Sequence, residues 1–134
     1  MTTFKEIYDC FLGKITDDMY LEWTEENTYA DLKNILLDSL PAFEFPKFAL
    51  YDYNLDLNRY NIDLTKEEIN IIAISMYNTW LQRQIASVEN TRMKYSGADF
   101  KMTSQANHLD KLIKLKQEAE RQFLHAQRLY CRRI

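Results

Sequence analysis

Two glycines, Gly13 and Gly97, and two prolines, Pro41 and Pro46, are all the backbone punctuation that 134 residues carry. A sandwich or barrel of many short strands needs turn residues at frequent intervals, and a loop that cradles phosphate needs clustered glycines. This chain supplies neither, so long uninterrupted helices are the expected solution. Hydrophobic residues make up 46% of the chain and aromatics 13%, enough to bury a core where a disordered chain has too few. The length suits one domain. The expected fold is mainly α: a four-helix bundle-like single domain over residues 1–134, with a short β-hairpin at about 48–64 between helices 2 and 3.

The helices are placed by their caps and apolar spacing. Thr3 and Glu6 form a capping box ahead of Phe4, Ile7, Tyr8, Phe11 and Leu12, and Gly13 sits where a helix-ending glycine belongs. Residues Asp17 to Trp23 are ambiguous between a loop and a short helical turn. A second helix is expected from Thr28, with Leu32, Ile35, Leu36 and Leu40 on its apolar stripe and Pro41 at its end. Tyr51, Tyr53, Leu55 and Leu57 then alternate with polar residues, which is the period of a half-buried strand. Asn58-Arg59 is the expected turn into Tyr60 to Leu64. Thr65 and Glu68 form a second capping box, opening a third helix over about 65–90 that should be the spine of the core. Its stripe runs through Ile69, Ile72, Ala73, Met76, Tyr77, Trp80, Leu81, Ile85 and Val88. A loop over Asn90 to Met102 and a cap at Thr103 or Ser104 precede the last helix, whose stripe is Leu109, Leu112, Leu115, Ala119, Phe123, Ala126 and Tyr130. Phe11, Leu36, Ile72, Met76, Trp80, Leu112 and Phe123 are the expected centre of the core.

Catalytic constellations are weak. His108 and His125 are the only histidines, and His125 shares a helix face with Glu118 but with no third ligand, where zinc needs three or four. Cys10 reads as a small core residue and Cys131 as part of a frayed terminus, and two cysteines make no disulfide framework, which suits a reducing interior. The acidic pairs Asp17-Asp18, Glu25-Glu26 and Glu67-Glu68 read as surface charge, the last also as a complement to a helix N-terminus. No nucleophile elbow, phosphate-binding loop or metalloprotease motif occurs. No enzyme activity, cofactor or metal is expected. No apolar run approaches the ~18 residues of a membrane span, and the first residues lack a signal peptide's apolar stretch, so a soluble intracellular chain is expected.

Charge is divided unevenly. Residues 1–70 hold 15 acidic and 6 basic residues, a balance of −9, whereas residues 71–134 hold 5 and 11, a balance of +6. The two parts can attract each other within one fold or meet different partners. On the last helix Lys111, Lys114, Glu118, Arg121, His125, Arg128 and Arg132 step by three and four residues along one face, with Arg133 adjoining. That row is a solvated face, a face that docks on an acidic partner, or a nucleic-acid contact. Tyr51, Tyr53 and Tyr60, in the least helical segment, fit both a core and an interface, where aromatics are enriched.

The order of elements resembles the small head–tail adaptor (connector, or neck) proteins of tailed bacteriophages. The likeness is carried by the amphipathic helix Phe4 to Leu12, the Leu-rich helix ending at Pro41, and the capped run Leu64-Thr65-Lys66-Glu67-Glu68 leading to Met76-Tyr77-Asn78-Thr79-Trp80-Leu81. It continues through Asp99 to Leu109, opening the last helix. The resemblance implies a structural virion protein of the capsid–tail junction, present in the host cytoplasm before assembly. It implies a ring of copies, usually a dodecamer, that joins the portal protein to the tail or a second neck protein and extends the DNA channel. Passing DNA would be touched only non-specifically, and no membrane is involved. The last helix, about 104–134, would be a docking arm on the portal, mobile at its end in the free chain, and would use Lys111, Lys114, Arg121, Arg128, Arg132 and Arg133. The acidic first half would line the channel or face neighbouring copies. The hairpin departs from the family pattern. A helical interaction protein without ring symmetry and a small nucleic-acid-binding helical protein are the alternatives.

Overall fold

A computed structural model describes residues 1–15, 24–94 and 99–133; over 90–94 and 99–106 the description covers the backbone. The described residues form a mainly α fold, with four α-helices and a small two-stranded antiparallel sheet. Helix α1 spans Phe4–Leu12, α2 Glu25–Ser39, α3 Lys66–Lys94 and α4 Asp99–Arg132. Strands β1 (Tyr53–Asn54) and β2 (Arg59–Tyr60) lie between α2 and α3.

The capping boxes form as read. The Glu6 amide donates to Thr3 Oγ1 and the Thr3 amide to Glu6 Oε2, at 3.3 and 2.8 Å. The Glu68 amide donates to Thr65 Oγ1 and the Thr65 amide to Glu68 Oε1, at 3.1 and 2.8 Å. Helix α2 starts earlier than its expected Thr28. Thr24 is the cap, accepting from the Asn27 amide at 3.2 Å, while Thr28 turns its hydroxyl back to donate to the Thr24 carbonyl. Glu25 and Glu26 thereby occupy the first turn, where negative charge meets the helix dipole. At the other end a 3-10 turn, Leu40–Ala42, accommodates Pro41.

The hairpin exists but is shorter and turns sooner than expected. Tyr53 pairs with Tyr60 and Asn54 with Arg59, so the turn is made by residues 55–58, not by Asn58-Arg59. Asn54 Oδ1 accepts from the Asp56 and Leu57 amides, and Asn58 adopts a φ of 53°, the left-handed region that asparagine tolerates better than most residues. Two strands alone are marginal. Here the N-terminal segment supports them: the Tyr60 amide donates to the Thr2 carbonyl, the Thr2 amide to the Ile62 carbonyl and the Phe4 amide to the Asn58 carbonyl.

Helix α3 is packed by α1, α2 and α4. A single apolar stripe was the expectation. Instead Ile71 to Met76 are six consecutive buried residues, because neighbours cover this stretch from every side. Phe11, Leu36, Ile72, Met76, Trp80, Leu112 and Phe123 all lie in the buried core. The two buried serines, Ser39 and Ser75, are bonded. Ser75 Oγ donates to the Ser39 carbonyl at 2.8 Å, and Ser39 Oγ donates to the Ile35 carbonyl at 2.6 Å.

The loop expected over Asn90 to Met102 is mostly helix. Helix α3 continues to Lys94 and α4 begins at Asp99, so Thr103 and Ser104 lie inside α4 and not at its start. The polar run that suggested a loop has no proline to stop either helix. Gly97 and the ambiguous segment Asp17 to Trp23 lie outside the described residues.

Candidate functional site

Helix α4 sorts its residues cleanly by side. Leu109, Leu112, Ala119, Phe123, Gln127 and Tyr130 are buried against the rest of the fold. Leu115, expected on that stripe, is 39% exposed, and the aliphatic stem of Lys116 takes the half-buried position beside it. On the opposite side Lys111, Lys114, Glu118, Arg121, His125, Arg128 and Arg132 are all exposed, as their spacing required. Arg121 pairs with Glu118 at 3.0 Å, but both are solvated and the pair contributes little. Among the described residues Lys111, Lys114, Arg128 and Arg132 make no ion pair. Those four are positive charges without an ion-pair partner on a helix of 34 residues, about 51 Å long at 1.5 Å per residue.

Arg133 does not belong to that row. Its guanidinium pairs with Glu67 at 2.9 Å, in the first turn of α3. The end of α4 is bonded to neighbouring parts of the fold. Tyr130 donates its hydroxyl to Glu68 Oε2 at 2.6 Å and accepts from the Lys47 amide at 2.8 Å. The Lys47 ammonium donates to the Tyr130 and Arg133 carbonyls and lies 4.6 Å from the Tyr130 ring. Gln127 Oε1 accepts from the Glu44 amide at 2.9 Å. Edge-to-face rings then run from Tyr130 through Phe43 and Phe48 to Tyr60 and Phe4. Arg83–Asp31 and Arg133–Glu67 tie the basic part of the chain to the acidic part, so some of the charge division is internal.

The tyrosines carry a pH dependence. Burial, and secondly the hydrogen bond to Glu68, push the Tyr130 hydroxyl up to about 12, and burial raises Tyr8 and Tyr60 as well. A raised tyrosine favours the protonated folded state, so its stabilisation is complete below the ordinary value of 10.0 and is lost as pH rises through about 12. Urea midpoints should therefore be flat in pH just below 10.0 and fall steadily from there to about 12, with a shallower fall in Tyr130→Phe. An unchanged midpoint at pH about 12 would contradict this coupling.

The three hairpin tyrosines separate. Tyr60 is fully buried and its hydroxyl donates to the Leu50 carbonyl at 2.7 Å, so it is core and no interface residue. Tyr53 is half-buried against Phe4 and Tyr60. Tyr51 is 60% exposed. Cys10 is half-buried against the core and Cys131 is exposed. His108 and His125 are exposed, and among the described residues no three His, Cys, Asp or Glu side chains are placed to hold a metal ion. Among the described residues no helix is long and apolar enough to cross a membrane.

Two apolar groups stand at the surface: one went unread, and the other corrects the half-buried strand pattern expected of Leu55 and Leu57, which lie on the turn. Phe45 and Leu124 flank a groove with Arg128 and Arg132 at the end of α4, and Leu55 and Leu57 stand exposed on the hairpin turn. Leu124 sits one position past the buried Phe123, and one residue turns a side chain by about 100° around a helix, which carries it off the buried stripe. A second groove lies beside Tyr77 and Trp80, whose rings stack at 6.1 Å, with His108 and Lys111 on its rim. Comparison with models of protein families, with characterised proteins and with solved structures finds no match for this chain.

Proposed function

We propose that this chain is a structural adaptor without catalysis, docking onto an acidic surface of a larger assembly through the outward face of α4. The observation that carries the reading is the exposed row Lys111, Lys114, Arg121, Arg128 and Arg132 on a helix whose inward side is fixed to the core. The helix sets the spacing of the row before any partner arrives, so docking orders the long side chains but little backbone, and the charge steers encounter and orientation. The resemblance to phage neck proteins gives the assembly a specific form. The partner is the portal, the copies form a ring, and the ring continues the DNA channel to the tail or the next neck protein.

The test is to mix the purified chain with the portal ring from the same source and weigh the product by native mass spectrometry. One adaptor per portal subunit is the expected stoichiometry. The double reversal Lys111→Glu with Arg121→Glu should weaken binding about 100-fold, since like charges set opposite each other cost several kcal/mol. Both residues are exposed, so thermal stability should hardly move. Absence of binding at every salt concentration overturns the adaptor reading. The same row supports a second reading, contact with DNA. There the logarithm of affinity would fall with the logarithm of salt by about 0.9 per phosphate contacted. DNA binding that survives the double reversal overturns that second reading.

A further inference from the structure

We infer that copies of this chain contact one another head to tail, the hairpin turn of one seating in the groove between Phe45 and Leu124 of the next. The inference deepens the proposed ring by naming the contact between copies, but it stands on exposure, charge and local rigidity alone.

The hairpin turn is an apolar knob on an acidic base. Leu55 and Leu57 are 44% and 55% exposed, Tyr51 is exposed beside them, and Asp52 and Asp56 are exposed among them. The turn is held in one shape. Asn54 Oδ1 takes the Asp56 and Leu57 amides at 2.9 and 3.1 Å, and Lys33 Nζ donates to the Leu55 carbonyl at 2.9 Å. Exposed leucines on a fixed turn present a surface that needs no ordering on binding.

The groove has the opposite character. Phe45 and Leu124 are 66% and 47% exposed, Arg128 and Arg132 stand over them, and Glu44 lies at the rim. An apolar floor under two uncompensated guanidinium groups suits an apolar segment carrying two carboxylates, and the hairpin turn is one. The Lys33 contact puts the turn beside α2, while the groove lies on α4, and α2 and α4 pack against α3, which is continuously buried over Ile71 to Met76. Two different, complementary surfaces on one molecule make a heterologous contact. It propagates from copy to copy and closes a ring when the rotation per step divides a full turn. The face of α4 then divides between its two ends, with Arg128 and Arg132 serving the neighbour and Lys111, Lys114 and Arg121 left for the outside partner.

Two variants test the pairing, each altered only at exposed positions. One carries Leu55→Asp with Leu57→Asp in the turn, the other Leu124→Asp with Arg128→Glu in the groove. Light scattering under reducing conditions, which keeps Cys131 from cross-linking, reads the mass of the full chain against concentration. The unaltered chain should grow into multi-copy species, and each variant should need at least about 100-fold more chain to associate. Mixed in equal amounts, the two variants should form a one-to-one pair and nothing larger, because each keeps one working surface of the opposite kind. An unaltered chain that stays monomeric to about 1 mM overturns the inference. So does association that ignores either variant, and so does a mixture that stays monomeric or grows past the pair. Binding of the turn variant to the portal ring is measured separately, so loss of self-contact and loss of the adaptor role are distinguishable results.

Discussion

Phe4→Ala should unfold at a much lower urea concentration than the unaltered chain, with a loss of about 3–5 kcal/mol. Phe4 is fully buried at the junction of three pieces of chain. Its ring lies 6.4 Å from Tyr8, 5.9 Å from Tyr53 and 5.9 Å from Tyr60, and its amide donates to the Asn58 carbonyl at 2.8 Å. The cost of such a truncation depends on whether the surroundings can close over the hole. Here they are tied. Tyr60 is held by its hydroxyl on the Leu50 carbonyl, and the Tyr60 and Thr2 amides both bond across to the opposite backbone. The expected value therefore lies toward the upper end. A loss below about 1 kcal/mol would mean that the hairpin collapses freely into the space, contrary to the bonding described.

Glu68→Leu should cost about 2–4 kcal/mol, for a different reason. Glu68 is 6% exposed and serves two donors from distant parts of the chain, the Thr65 amide through Oε1 and the Tyr130 hydroxyl through Oε2. Leucine fills the volume but leaves both donors without an acceptor, and a buried unpaired donor costs about 1–3 kcal/mol. Relief of the buried carboxylate's own desolvation offsets part of this. Glu68→Gln keeps one acceptor oxygen and should lose roughly half as much. In a Tyr130→Phe background Glu68→Leu should cost less, because only the Thr65 donor is then orphaned, and a double-mutant cycle reads the difference. Strict additivity of the two changes would sink the argument that Glu68 and Tyr130 act as a pair.

The local rules carried much of this fold. Both capping boxes and all four helices, though not all their ends, are legible because a cap, an apolar period and a helix dipole act over a few residues. The start of α2 was misplaced because Thr24 and Thr28 offer competing caps one turn apart, and only the structure shows which hydroxyl faces forward. The hairpin turn shifted because support for β2 comes from Thr2 and Phe4, far away in sequence. Ile71 and Ile74 fall off the expected stripe because periodicity assumes one solvated face, and α3 has none at that depth. The candidate site divides in the same way. The outward row of α4 is a one-helix property and was readable. The inward turn of Arg133 to Glu67 and the pairing of Phe45 with Leu124 are tertiary events with no local mark.

The clean division of α4 between a buried side and a charged side bears on how such a chain can change over generations. Substitutions at exposed positions typically move stability by no more than about 0.5 kcal/mol, whereas the inward positions carry the core. The outward face can drift or swap sign while Leu109, Leu112, Phe123 and Tyr130 keep the scaffold unaltered. Descendants of one ancestor would then share their inward letters and disagree on their outward ones.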